Sequence, residues 1–143
     1  MKNKKKGFTL VELIVVLAIL AILAAMLVPA LTGYIDKANA QKVVATTRQV
    51  VMAAQSEVTE EYANSSNAKL TAATISNSTS DDSGKKLYTD ICTLAEVSVD
   101  KNGIKAIEIS YNEKGVVTTV KVTQNGKTCT YSSAAADGGY TVS

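Results

Sequence analysis

A long apolar run near the start of the chain restricts its possible folds more than any other feature. Residues 13–31 are 19 consecutive residues without a charge. In a helix, which rises about 1.5 Å per residue, this run reaches roughly 28 Å, close to the thickness of one hydrocarbon core. An apolar span must satisfy its own backbone hydrogen bonds. The run therefore predicts a membrane-spanning helix.

Lysines at positions 2, 4, 5 and 6 precede the run. An excess of lysine marks the cytoplasmic side of a membrane span. We therefore expect a cytoplasmic N-terminus and an exported region from residue 32 onward. An ordinary secretory signal is the alternative, although its apolar segment is shorter, about 7 to 15 residues, and a cleavage site of small residues follows it. The small residues that keep this alternative open are Ala24, Ala25, Ala30 and Gly33.

One acidic residue, Glu12, stands at the beginning of the apolar run. It would lie near the inner edge of the membrane, where a carboxylate costs less than at mid-bilayer. An interfacial charge without a role is one interpretation. The surrounding stretch KKKGFTLVEL favours another, because it places a Gly7–Phe8 junction directly after the lysines and just ahead of the acid.

The stretch KKKGFTLVELIVVLAILAILAAMLVP resembles the class III signal of type IV prepilins and pseudopilins, over about residues 4–40. The resemblance implies that a membrane aspartyl prepilin peptidase cleaves between Gly7 and Phe8, that Phe8 is methylated, and that the apolar run is retained. It also implies that Glu12 pairs with the N-terminal amine of a neighbouring subunit. Unpaired charges are costly in an apolar helix bundle, so this pairing would fix the axial register of neighbouring helices.

The same resemblance implies the partners and the location of the protein. It predicts a structural subunit of a type IV pilus-like filament, with identical or related pilin subunits, an assembly platform and an ATPase as partners. It does not separate a major pilin from a minor pilin, or from a pseudopilin of a secretion or DNA-uptake apparatus. We expect a single-pass membrane protein before assembly and an extracellular or cell-surface filament afterwards.

The composition argues against catalysis and against nucleic-acid binding. The chain has no His and two Cys, which removes common routes to acid–base and metal chemistry, so we predict no catalytic residue, no metal site and no cofactor. Of 15 basic residues four precede Gly7, which leaves 11 against 13 acidic ones and no bulk-charge case for nucleic acid. A cell-surface binding module tethered by an uncleaved helix remains the alternative to a filament subunit.

The pattern beyond the apolar run predicts an α+β, pilin-like fold. Pro29 predicts a kink or loosening of the helix, because proline lacks an N–H and clashes with the preceding turn. Apolar residues then recur at helical spacing to about Tyr62, so a long N-terminal helix would pack on a small sheet through its second half. The residues of this stripe are Tyr34, Val44, Thr47, Val51, Ala54, Val58 and Tyr62. The expected domains are a leader at 1–7, a membrane and assembly half at 8–31, and an exported globular head at 32–143.

The rest of the head is predicted from turn signals. Residues 63–86 are rich in Ser, Thr and Asn and predict a polar connecting loop, with possible glycosylation at Asn64 or Asn77, and residues 86–96 predict a short helix or turn. Antiparallel strands are expected at 104–111, 116–123 and 128–132, because Asn125-Gly126 is a strong hairpin signal. A short edge strand at 140–142 is a further possibility. The residues expected on the inner face are Ile107, Ile109, Tyr111, Val116, Val120, Val122, Cys129 and Tyr131.

The two cysteines, Cys92 and Cys129, are candidates for a disulfide. An exported head with an even cysteine count favours a bridge. Two buried free thiols are the alternative, because cysteine is common in protein cores.

Overall fold

The structure, a computed structural model, describes residues 7–66, 69–135 and 139–143. Its two helices are α1 (Leu10–Asn64) and α2 (Asp82–Leu94). Its five strands are β1 (Ala73–Ser76), β2 (Ile104–Tyr111), β3 (Val117–Gln124), β4 (Lys127–Ser132) and β5 (Tyr140–Val142). The chain divides into two compact units, one up to Lys37 and one from Ala38 to Ser143, which we call the head unit. The α+β, pilin-like fold class expected from the sequence is confirmed.

Within the head unit the five strands form one antiparallel sheet in the order β1-β2-β3-β4-β5. The β3–β4 turn has positive φ at both central residues, Asn125 and Gly126, the backbone conformation that makes Asn-Gly so favourable in two-residue hairpins. This turn sets the register in which Val120 pairs with Tyr131 and Val122 with Cys129. The three long strands therefore lie within one or two residues of their predicted positions.

The inner face of the sheet packs with the second half of α1 into one core. Val43, Val50 and Val58 of α1 are fully buried, and so are Ile107 and Val120 of the sheet. The buried stripe of α1 is centred near Val43, Val50 and Val58, because Val44 and Val51 are only partly buried. It overlaps the predicted stripe at Thr47, Ala54 and Val58, whereas Tyr34 is 72% exposed.

The prediction for Val116 was wrong. Val116 is 42% exposed and its neighbour Val117 is buried instead. The pairing of β2 with β3 shifts between Ser110 and Tyr111, and such an irregularity changes which side chain faces inward. The turn signal at Asn112–Gly115 located the hairpin correctly, but the sequence does not show the register shift beside it.

The predicted polar loop at 63–86 was also wrong in part, because it contains β1 and the first turn of α2. Strand β1 pairs with β2 and buries a single large apolar side chain, Ile75. Helix α2 begins at Asp82 because the Asp81 side chain caps it, accepting a hydrogen bond from the Gly84 N–H at 2.7 Å. An Asp that precedes a helix by one residue is a start signal, so the short helix predicted at 86–96 begins four residues earlier.

Candidate functional site

The candidate site is the beginning of the described chain, from Gly7 to Glu12. Gly7 is exposed, and a Cβ added to it would meet no atom within 4 Å. Phe8 is 93% exposed. Nothing in the described fold therefore requires glycine or phenylalanine at these two positions. Packing does not explain why these residue types are present. The leading lysines, at positions 2 to 6, lie outside the described residues.

Helix α1 begins with a reciprocal hydrogen-bond arrangement between Thr9 and Glu12. The Thr9 backbone N–H and the Thr9 hydroxyl both donate to Glu12 Oε2, each at 2.8 Å. The Glu12 N–H donates in return to Thr9 Oγ1 at 3.2 Å. This is a capping box, in which the residue before the helix and the residue three positions later satisfy each other's backbone groups.

Sequence reasoning missed Thr9, although its signal is present. The tetrapeptide Thr9-Leu10-Val11-Glu12 has the Ser/Thr-x-x-Glu spacing that precedes an apolar helix. The carboxylate at Glu12 therefore has a function within a single chain, namely holding the first turn of α1. Over the residues that the structure describes, its Oε1 atom makes no hydrogen bond, so one oxygen is left for another partner.

Among the described residues, the apolar half of α1 has its large side chains exposed. The large apolar side chains from Phe8 to Leu31 are each between 50% and 93% exposed. An 18-residue window of α1 has a mean hydropathy of 3.0, long and apolar enough to cross a membrane. A monomeric soluble protein rarely exposes so large a continuous apolar surface. A surface of this kind is typical of a helix that lipid or other helices cover.

Pro29 lies inside α1, and the helix continues on both sides of it. The Thr32 hydroxyl donates to the Pro29 carbonyl oxygen at 2.9 Å, as serine and threonine side chains do when they bond to the preceding turn. The predicted kink at Pro29 stays a prediction.

The two cysteines are free thiols in the structure, so the predicted disulfide is absent from it. Cys92 of α2 lines a cleft together with Ser76 of β1, whereas Cys129 lies on β4, three strands away. The hairpin register placed Cys129 correctly in the core, but it contained no information about α2.

The environment of Cys92 makes its thiol a weaker acid than that of an exposed cysteine. Burial raises the pKa of the Cys92 thiol, and the neighbouring Tyr88 hydroxyl opposes this effect only in part. Burial also raises the pKa of Tyr88 well above its ordinary value. Within the described ranges no group of three or more His, Cys, Asp or Glu side chains could hold a metal ion.

Comparison with known proteins agrees with this geometry. Residues 2–28 match the family model described as the prokaryotic N-terminal methylation motif. The chain contains this methylation motif. The family resemblance expected from the Gly7–Phe8 junction and the apolar run is thereby confirmed, and the motif covers all the residues of the candidate site.

Similar proteins are filament and secretion components. The chain is 44% identical over 50 residues to the type IV major fimbrial protein FimA of Dichelobacter nodosus, covering 35% of this chain and 32% of that protein. It is 52% identical over 42 residues to fimbrial protein Q of Moraxella bovis, covering 29% and 27%. It is 51% identical over 43 residues to the type II secretion system core protein G of Klebsiella michiganensis, covering 30% of each chain.

The match to the family model lies in the N-terminal part of the molecule. The matched segments span about a third of the length of the curated relatives. No solved structure matches the chain. The methylation motif is therefore the shared feature, and the head unit is described by its own sequence and structure.

Proposed function

We propose that this chain is a structural subunit of a type IV pilus-like filament. In this account it is stored in the membrane through residues 8–31, with the N-terminus in the cytoplasm and the head unit outside. A prepilin peptidase cleaves after Gly7, Phe8 is methylated, and the chain polymerises through α1 with identical or related subunits. An assembly platform and its ATPase drive the process. The protein itself has no catalytic role.

The observation on which this proposal depends is the methylation motif at residues 2–28, joined to an exposed apolar helix. Gly7 has no neighbour within 4 Å of an added Cβ, so the demand for glycine comes from outside the fold. A peptidase whose active site must approach the backbone at Gly7 closely would require glycine there, because glycine has no Cβ. The apolar run is retained after cleavage, and in the filament the α1 helices of neighbouring subunits cover it.

We also propose that Glu12 pairs with the Phe8 amine of a neighbour. Thr9 donates only to Oε2 of Glu12, so Oε1 is left to accept from a second donor without loss of the capping box. An ammonium and a carboxylate are both costly when left unpaired among apolar helices, and pairing offsets both costs. Because the two charges meet at only one axial offset of neighbouring helices, the pair fixes that offset.

A pseudopilin of a secretion apparatus is the second candidate, favoured by the 51% identity to a type II secretion system core protein G. Two experiments separate the candidates. Shearing of cells that express the chain with its prepilin peptidase and assembly proteins yields long surface filaments containing this chain if it is a pilin. Deletion of the gene abolishes export of secreted proteins, without loss of long filaments, if it is a pseudopilin. A chain that does neither contradicts both proposals.

A further inference from the structure

The head unit has two ends, which the contacts of α1 with the sheet define. At one end the Asn125 side chain donates to Asn39 Oδ1 at 3.3 Å, and the Asn125 N–H donates to the Gly103 carbonyl at 3.0 Å. The Gln124 side chain donates to the Asn102 carbonyl at 2.9 Å. Three segments therefore meet where α1 enters the head unit. This near end consists of residues 39–46, 100–105 and 124–127.

Lysines are concentrated at the near end. Among its described residues it has four lysines and one carboxylate, a formal net charge of +3. The carboxylate, Asp100, lies 3.8 Å from the Lys105 ammonium, a contact between exposed groups that is worth little in water. The four lysines, of which Lys127 is half-buried and the others exposed, are Lys42, Lys101, Lys105 and Lys127.

The far end has the opposite charge. There the Gln55 side chain contacts the Gly115 carbonyl, and Lys69 pairs with Glu113 at 3.1 Å. Seven described carboxylates and four lysines give this end a formal net charge of −3. Its charged residues are Glu57, Glu60, Glu61, Asp81, Asp82, Asp90, Glu113, Lys69, Lys85, Lys86 and Lys114. The charges between the two ends, Arg48, Glu96, Glu108 and Lys121, cancel.

The two ends are too far apart to neutralise each other. Lys42 and Glu60 lie 18 residues apart in α1, roughly 27 Å along the helix. Electrostatic interactions between exposed groups are screened over about 8 Å at physiological ionic strength. Each end therefore interacts with whatever lies next to it, and the head unit acts as a large dipole with its positive end where α1 enters.

We propose that the lysines of the near end bind the anionic headgroups of the membrane surface while the subunit is stored. This inference rests on the proposed membrane span at residues 8–31. Asn39 follows Leu31 by eight residues, which reach about 12 Å as helix and at most about 29 Å when extended. Residues 31–39 are helical in the structure, so the shorter distance applies and the near end stays close to the headgroups of the outer leaflet, where anionic lipid such as phosphatidylglycerol would attract lysine.

The negative charge of the far end also favours the orientation in which the near end faces the membrane. An anionic surface repels a patch of charge −3 while it attracts one of +3, so only one orientation of the head unit is favoured. In this orientation the sheet turns at 100–103 and 125–126 lie on the membrane surface. The attraction falls off within a Debye length, so extraction of the subunit into a filament releases it without breaking any packed contact.

The full-length chain in lipid nanodiscs tests the proposal. The nanodiscs contain either pure phosphatidylcholine or an equimolar mixture with phosphatidylglycerol, and a trace of lipid with a gadolinium chelate on its headgroup. We expect paramagnetic broadening of the Gly103 and Gly126 amide signals in the anionic discs. Neutral lipid or about 1 M salt should lower it by about half or more, because both remove the electrostatic attraction.

Matched variants show whether the effect depends on the lysines of the near end or on the loss of any three lysines. Lys42→Gln, Lys101→Gln and Lys127→Gln combined should reduce the broadening at Gly103 and Gly126 to its level in neutral discs. The same change at Lys69, Lys86 and Lys114 of the far end should not lower it, because it only makes the repelled end more negative. Equal broadening in both lipids, or no response to the near-end variant, overturns the proposal.

Two further outcomes are informative. If the near-end variant lowers filament yield but the wild-type signals do not depend on lipid charge, the lysines bind a second copy of the chain and the lipid proposal is wrong. Flotation of the discs with the chain tests the membrane span separately. Failure of the chain to float contradicts the proposed function itself, whereas a floating chain without lipid-dependent broadening contradicts only this inference.

Discussion

The two oxygens of the Glu12 carboxylate are used differently. Oε2 accepts both hydrogen bonds from Thr9 and holds the first turn of α1. In the proposed filament, Oε1 accepts from the Phe8 amine of a neighbour. One residue therefore has a local function, which needs only an acceptor, and an assembly function, which needs a negative charge. These two requirements can be separated by substitution.

Glu12→Gln should assemble poorly although its helix is intact. Glutamine keeps an acceptor for the Thr9 N–H, since Gln also serves in a capping box, but it offers no charge to the ammonium of a neighbour. Glu12→Ala loses both functions. The measurement is the yield of sheared filaments, with the amount of membrane-inserted chain as the control. Wild-type yield from Glu12→Gln would show that the charge is not needed.

Cysteine reactivity gives a second prediction for single residues. In the denatured chain, without reductant, iodoacetamide should add two alkyl groups, because both thiols are free. In the native chain Cys129 should not react because it is 0% exposed. Burial raises the pKa of Cys92, so its thiolate fraction and alkylation rate should increase at higher pH than those of an exposed cysteine. Recovery of an unalkylated denatured chain by mass spectrometry would contradict this account.

The hairpin of β2 and β3 is fastened to α1 at both ends by glutamine side chains. Gln55 donates to the Gly115 carbonyl at 2.8 Å and accepts from the Val117 N–H at 3.0 Å. Gln124, only 1% exposed, accepts from the Thr46 hydroxyl at 2.9 Å. These amides join the helix to the sheet by hydrogen bonds. They fix the position of the sheet along α1.

Gln55→Ala should destabilise the head unit by about 1–3 kcal/mol, because it leaves the Val117 N–H without its partner. Gln49→Ala is the matched control on the same helix, where the side chain is exposed, and it should change stability by about 0.5 kcal/mol or less. Urea unfolding followed by circular dichroism measures both. Equal stability of the two variants would show that the Gln55 contacts contribute nothing.

The sequence predicted the elements that have strong local signals. The apolar run, the helical spacing up to Tyr62 and the Asn125-Gly126 turn located α1 and the three long strands. Strand β1 was missed because its four residues include only one large apolar side chain, Ile75, beside three polar or small ones. Such a segment does not differ from a loop until a neighbouring strand pairs with it. The α2 boundary was missed because Asp81 was assigned to the loop instead of a helix cap.

The candidate site could be predicted more fully than the head unit, because it depends on consecutive residues. Gly7, Phe8 and Glu12 were found from the sequence, and Thr9 could have been found from its spacing to Glu12. The cysteines show the opposite case. Their separation depends on how α2 packs against β1, and no local pattern at Cys92 or Cys129 contains that information.

For the whole molecule, the structure combines an apolar helix without cover and a small folded head unit with charged ends. In the proposed account, the exposed helix is covered by the membrane before assembly and by neighbouring helices after it. The head unit has its own core, formed by the second half of α1 and the sheet. Folding and the proposed assembly therefore rely on different surfaces of α1. In this account the subunit can fold before it polymerises.

The most direct test of the central claim is the intact mass of the chain in purified surface filaments, with tandem sequencing of its N-terminus. Our account predicts a single species that begins at Phe8, has one methyl group on that amine, and retains all the residues of the apolar run. A Gly7→Val strain should accumulate only the uncleaved chain. A wild-type chain that keeps Met1, or one that begins beyond Leu31, would contradict the account.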